Sequence, residues 1–163
     1  MELSPRQKMD FNNYLRVMSA AKDDLEFLLE NLGIRFALDF SRESLVKLEE
    51  AFWKAKEAGI PSDFSSEEHL EHLMGLYLAE TIVRLTGAKV RQSKWQNRMF
   101  GQPYLDDFGN KEWDRIYPVQ LVTNFANLKK TNPNFAGVDT KTVLASVFDK
   151  AREIHDAHVQ RNT

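Results

Sequence analysis

Between Leu70 and Leu85, the residues Leu70, Leu73, Met74, Tyr77, Leu78, Thr81, Ile82 and Leu85 recur at alternating spacings of three and one. On a helix of about 3.6 residues per turn this spacing gathers them into one broad stripe. The segment therefore predicts an amphipathic helix whose inner face fixes where the core lies. After Gly87 the period changes. Lys89, Arg91, Ser93 and Trp95 alternate with Val90, Gln92 and Lys94, the pattern of a strand with at least one wet face. Fold class is constrained strongly by these two segments, and chemistry hardly at all.

With 163 residues, 42% hydrophobic and 28% charged, the chain can bury a sizeable core and reads as one domain over 1–163, its polar tail fraying after about His158. The absence of cysteine excludes disulfides, thiolate zinc sites and a cysteine nucleophile. The first residues, Met1-Glu2-Leu3-Ser4-Pro5-Arg6, lack the apolar core of a signal peptide. No apolar run approaches the length of about 18 residues that a spanning helix needs. A net charge of −2 exerts no general pull on nucleic acid or anionic membrane. The expected setting is cytoplasmic.

Other segments carry helix punctuation. Ser4-Pro5-Arg6-Gln7 has the form of a capping box with proline in the first turn. Behind it Met18, Ala21, Leu25, Leu28 and Leu32 predict one long helix, or two abutting ones, stopped by Gly33. Ile34 to Phe40 reads as an apolar connector with some extended character. Asp39 or Ser41 then caps a helix with Leu45, Leu48 and Phe52 inward, ended by Gly59-Ile60-Pro61. Ser65-Ser66-Glu67-Glu68 is a second capping box, opening the patterned helix. Pro103–Phe108 and Glu112–Tyr117 flank Gly109-Asn110, a pair suited to a tight hairpin turn. Pro118 opens a short helix with Val119, Val122, Phe125 and Ala126 inward, and Thr131-Asn132-Pro133-Asn134 is a loop. Asp139 caps a last helix striped by Val143, Leu144, Val147, Phe148, Ala151 and Ile154. The sum is an α+β fold, mostly helical, with a small antiparallel sheet of about three strands.

Few groups point to chemistry. His69 and His72, with Glu68 and Glu71 beside them, could hold a surface metal, but they lack the His-Glu-x-x-His spacing of metalloproteases and read as a polar helix face. His155 and His158 sit in the last turn of the last helix, where positive charge suits the helix dipole. Asp106, Asp107 and Asp114 around the hairpin turn read as a solvated face, not a magnesium site. The expectation is no metal and no cofactor. Glu80 differs: its helical phase sets it beside Leu76 and Val83, flanking the apolar stripe. A carboxylate there is partly desolvated and needs a donor, an arginine or backbone N–H groups. Its structural reading is a pinned contact between helix and sheet; its functional reading is a general base or binding anion.

From Glu80 to Asp106 there is no further acid, while Arg84, Lys89, Arg91, Lys94 and Arg98 are interleaved with Trp95, Phe100 and Tyr104. Such a segment can serve nucleic acid, or it can offer a basic face to an acidic protein. The chain has no glycine-rich phosphate loop, nucleophile elbow or dinucleotide fingerprint.

Leu38-Asp39-Phe40-Ser41-Arg42-Glu43-Ser44-Leu45, Gly75-Leu76-Tyr77-Leu78-Ala79-Glu80, Thr86-Gly87-Ala88-Lys89, Phe100-Gly101-Gln102-Pro103 and Tyr117-Pro118-Val119 follow in an order that resembles a loose group of small bacterial proteins of unknown function. That group shares an LDYS-x-x-SL helix start, a YLGE helix, a GG-x-W strand and a PV helix start over roughly residues 36–128. Ala79 stands where the group has glycine, and Val90 where it has tryptophan. Several members of the group are regarded as immunity proteins that neutralise a bacterial toxin. The resemblance implies a non-catalytic protein-binding domain with a cognate toxin as partner. Arg91, Lys94, Trp95, Arg98, Phe100 and Tyr104 are the expected partner-binding surface. The alternatives are an enzyme or small-ligand binder with a pocket around Glu80, and nucleic-acid binding through residues 84–98.

Overall fold

The computed structural model describes residues 2–59, 67–94, 100–106, 115–131 and 143–161, the side chains of 67–69 and 127–131 excepted. In chain order the elements are α1 (Pro5–Met18), α2 (Ala21–Asn31), α3 (Arg42–Ala58), α4 (Glu67–Thr86), β1 (Lys89–Gln92), β2 (Pro103–Asp106), α5 (Pro118–Thr131) and α6 (Val143–Arg161). The architecture is α+β and mostly helical, with β1 and β2 antiparallel.

Side-chain and turn chemistry sets the helix ends. Ser4 Oγ accepts the Gln7 N–H at 3.2 Å and Gln7 Oε1 accepts the Ser4 N–H at 2.9 Å, the expected capping box. The first helical segment is two abutting helices. At the end of α2 the Gly33 N–H donates to Glu30 O and the Ile34 N–H to Leu29 O, both at 2.9 Å, with Gly33 at φ 77°. This is a Schellman stop, for which a left-handed glycine is the least strained residue. Ser41, not Asp39, caps α3: its Oγ accepts the Ser44 N–H at 3.1 Å. Asp39 instead accepts the Ser41 N–H, and its hydrogen bonding to Ser41 holds the Asp39 carboxyl below the usual carboxylate range. Ser65-Ser66, Gly109-Asn110, Asn132-Pro133-Asn134 and Asp139 lie outside the described residues.

Helix α4 packs against α1, α2, α3, α5 and α6 and is the axis of the fold. The expectation of a single inner stripe is too narrow: every residue from Leu73 to Ile82 is buried, including Gly75, Leu76, Ala79 and Glu80. A helix apolar around most of its circumference must be surrounded, and here other helices surround it. Phe52, Trp53 and Phe125 form an aromatic triad between α3 and α5, with ring centroids 4.9–5.2 Å apart. Helix α6 buries Leu144, Phe148 and Ala151 as expected, and Arg42 on α3 grips Asp149 through Nε at 2.9 and 3.1 Å.

The sheet has two strands among the described residues, not three. Lys89, Val90, Arg91 and Gln92 oppose Asp106, Leu105, Tyr104 and Pro103. Of the third expected strand, Glu112–Tyr117, the described residues show a bridge, with the N–H of Leu105 donating to Ile116 O at 2.8 Å and that of Ile116 to Leu105 O at 3.2 Å. Two residues further on Pro118, which has no N–H to give a ladder, begins α5 and ends any pairing on that side.

Candidate binding site

Strand β1 begins in the expected phase, with Lys89 and Arg91 exposed and Val90 and Gln92 half-buried. The phase breaks at Ser93, which is buried, and Lys94 is exposed instead. A β-bulge is the cause. The Ser93 N–H donates to Gln102 O and the Gly101 N–H to Ser93 O, each at 2.8 Å, so two residues oppose one. Gly101 takes the left-handed position at φ 82°.

The bulge is tied to the start of α1. Gln92 Nε2 donates to Gln7 O at 2.7 Å and to Gly101 O at 3.0 Å. A Cβ on Gly101 would come within 2.8 Å of Gln7 Nε2, so any larger residue must displace the Gln7 side chain as well as take the left-handed backbone.

Beside this junction, between α1, the start of β2 and the start of α5, runs an open groove of about 510 Å³. Phe11, Tyr14, Val17, Pro103 and Val119 make its apolar walls, and Asp10, Asn13, His72 and Gln102 its polar borders. Tyr14 is 6% exposed. Its hydroxyl and Gln102 Oε1 are both shielded from solvent with no hydrogen-bond partner. Burial pushes the Tyr14 phenol well above its ordinary pKa.

The residues expected to bind a partner are divided by the structure. Arg91 and Lys94 are exposed on the hairpin, and Phe100 is half-buried at the bulge, next to groove residue Gly101. Tyr104 is only 8% exposed, its ring tilted by 31° against that of Tyr117 at 5.4 Å, with the Arg115 guanidinium 5.2 Å from its ring centre. Trp95 and Arg98 lie outside the described residues. The basic charge of the segment is also partly balanced in space: Arg91 and Arg115 approach Asp106 at 3.8 and 4.0 Å, and Arg84 meets Glu80 at 3.1 Å.

Glu80 finds its donor on its own helix, not on the sheet. Its Oε1 accepts Arg84 Nε and Nη2 at 3.3 and 3.1 Å, while Oε2 is shielded and has no hydrogen-bond partner. The Arg84 guanidinium in turn lies 3.9 Å from the centre of the Phe40 ring. The contact therefore joins α4 to the connector before α3. His72 is exposed at the groove, eight residues from Glu80 and so about 12 Å away along the helix axis. His155 and His158 are half-buried on α6. No group of three or more histidine and acidic residues is placed to hold a metal among the described residues. Among them, too, no helix is long and apolar enough to cross a membrane.

Glu49 on α3 is wholly buried and its Oε1 accepts the N–H of Leu144 in the first turn of α6. Its place beside Leu45, Leu48 and Phe52 in the α3 stripe is the signal for this burial. Tyr14 was likewise detectable, one turn before Met18 in the series that continues through Ala21 and Leu25. Gln92 and Gln102 carry no such signal, because their roles arise from the bulge.

Fold and groove together define a mostly helical α+β domain built around one enclosed helix, with a small hairpin against α1. The profile of a family described as "Uncharacterised protein YwmA" matches residues 12–102, more than half of the chain, and the protein belongs to that family. The matched span holds the second half of α1, α2 to α4, β1 and the bulge. No curated protein and no solved structure matches the chain.

Proposed function

We propose that this protein is a non-catalytic protein-binding domain, acting in the bacterial cytoplasm as an immunity protein that occludes a cognate toxin. The observation that carries the binding reading is the surface around the bulge. There an exposed basic edge, Lys89, Arg91 and Lys94, adjoins an apolar groove whose walls are tied together through Gln92. An immunity protein needs such a surface and no cofactor: charge accelerates encounter and an apolar centre holds the complex. The immunity role itself comes from the resemblance of the Leu38–Leu45 and Gly75–Glu80 motifs to proteins regarded as toxin neutralisers.

The test is affinity capture of the tagged chain from its native cells, followed by reconstitution of the purified pair. A stoichiometric complex with an adjacently encoded toxin supports the reading. Reversing Arg91 and Lys94 to glutamate should then slow association with an acidic partner by about tenfold or more at low salt. Unchanged association of the double variant removes the hairpin from the interface. Failure to capture any stoichiometric partner removes the immunity role.

A further inference from the structure

We infer that the connector between α2 and α3 is an open strand edge, and that an acidic extended segment of a partner protein pairs with it through its main chain. This surface goes beyond the hairpin groove described above, with which it shares no lining residue. From Leu32 to Phe40 burial alternates. Leu32, Ile34, Phe36, Leu38 and Phe40 are buried or half-buried, whereas Gly33, Arg35, Ala37 and Asp39 are exposed. That is the side-chain period of a strand. Yet the segment has no ladder partner among the described residues. A strand has two lateral edges, because successive residues point their N–H and C=O groups in opposite directions. The even-numbered edge faces α2: the Ile34 N–H donates to Leu29 O at 2.9 Å and the Leu38 N–H to Glu26 Oε1 at 3.2 Å. The N–H and C=O groups of Arg35 and Ala37 therefore point away from α2, and they make no hydrogen bond with the described residues.

On that side an open cleft of about 500 Å³ separates the connector from α3, and Lys47, Glu50 and Lys54 stand on its far wall. The occupant's chemistry follows from both walls. Donors and acceptors that alternate along an extended segment match another extended main chain, as in strand addition to a sheet edge. A helix, whose main-chain groups are already paired, cannot use such an edge. A phosphate chain can only accept, and leaves the Arg35 and Ala37 carbonyls unanswered. Lys47 and Lys54 form no ion pair with a described residue and outnumber Glu50, whereas Arg35 is engaged by Glu30 at 3.0 Å. Acidic side chains on the added strand answer these lysines. The edge is preorganised, because both of its ends are fixed. Gly33 closes α2 at φ 77°, and Tyr77 Oη holds the Phe40 N–H at 2.8 Å.

The experiment is a titration of the isotope-labelled full chain with acetyl-Glu-Val-Glu-Val-Glu-amide, read by backbone amide shifts and hydrogen exchange. In the free chain the Arg35 and Ala37 amides should exchange at close to the unprotected rate, and those of Ile34 and Leu38 more slowly. The peptide should shift and protect Arg35 and Ala37, with a dissociation constant on the order of 1 mM. A Lys-Val-Lys-Val-Lys counterpart should bind about tenfold more weakly or worse at low salt, as should the acidic peptide to a Lys47→Glu, Lys54→Glu double variant. Ala37→Pro deletes an edge donor that the free chain leaves unpaired. It should weaken the acidic peptide about tenfold and leave thermal stability little changed. Two further peptides, N-methylated at the glutamates or at the valines, test the pairing without altering the protein. A strand pairs through one edge at a time, so one of them should lose binding and the other keep it. Equal protection of Ala37 and Leu38 in the free chain would overturn the open edge. No saturable shift by about 10 mM peptide, or equal binding of the two methylated peptides, would overturn pairing through the main chain. Equal binding of the lysine peptide would overturn the acidic partner.

Discussion

The hydroxyl of Tyr77 stands 2.7 Å from Ser44 Oγ and accepts the main-chain N–H of Phe40 at 2.8 Å. One phenol on the central helix thus holds both the connector before α3 and the first turn of α3. The stretch from Leu38 to Leu45 and that from Gly75 to Glu80 are therefore mutual contacts. Phe40 sits at φ 62°, a left-handed conformation that costs a non-glycine residue about 1–2 kcal/mol. It is retained because its ring stacks on Tyr77 at 5.2 Å, beneath the Arg84 guanidinium, while its N–H is satisfied.

Tyr77→Phe keeps the ring and removes the acceptor, leaving the Phe40 N–H unpaired beside a strained backbone. We expect a loss of about 1–3 kcal/mol in urea denaturation. Ser44→Ala, whose hydroxyl also donates to Ser41 O at 2.7 Å, should cost about 1 kcal/mol. A Tyr77→Phe variant as stable as the parent would show that the hydroxyl holds nothing.

Alkaline pH offers a second test of the same buried phenols. Burial is the main cause raising the ionisation of both Tyr14 and Tyr77 above the ordinary value of 10.0, with the Ser44 contact pulling Tyr77 partly back. The neutral forms stabilise the fold, and their contribution is complete below pH 10. Above it the unfolded chain releases protons that the folded chain keeps, so stability falls by up to about 1.4 kcal/mol per pH unit for each tyrosine. Tyr14→Phe should flatten the decline between about pH 10 and 11 by one such share. Parallel profiles for the two proteins would show that Tyr14 ionises alike in both states.

The helices were legible where the signal was local. Capping at Ser4 and the stop at Gly33 need only neighbouring residues, and periodicity found the inner faces of α3, α4 and α6. The full enclosure of α4 was not legible, because Gly75 and Ala79 fall outside the apolar stripe and Glu80 only flanks it, until five helices close around them. Alternation likewise extended β1 through Trp95, whereas the bulge at Gly101 turns Ser93 inward. Basic residues counted along the chain looked unbalanced because Asp106 answers Arg91 and Arg115 across the hairpin. Pairings of this kind depend on tertiary register, to which a linear charge count is blind.

Glu49 joins α3 to α6, and its carboxylate at the α6 N-terminus satisfies a free N–H and complements the helix dipole. Glu49→Gln keeps an acceptor and loses the charge, for an expected cost of about 0.5–2 kcal/mol. Glu49→Ala strands the Leu144 N–H and opens a cavity, for about 2–4 kcal/mol. Hydrogen exchange should localise the loss to the first turn of α6. Protection unchanged there in both variants would count against this cap.

The bulge glycine couples the candidate site to helix α1. Gly101→Ala must adopt φ near 82° with its Cβ against Gln7 Nε2. The Gln7 side chain is a movable end, but moving it breaks the half of the capping box in which Gln7 Oε1 accepts the Ser4 N–H. The substitution thus combines left-handed strain of about 1–2 kcal/mol with partial loss of a cap worth about 1 kcal/mol. We expect destabilisation of about 2–3 kcal/mol, accompanied by faster hydrogen exchange in the first turns of α1 as well as at Ser93. Gly33→Ala, also left-handed but with nothing within 4 Å of the added Cβ, supplies the control and should cost only the backbone term. If the two variants lose equal stability, and α1 exchange is unaltered in Gly101→Ala, the bulge and helix α1 are not coupled, and the groove between them is not preorganised.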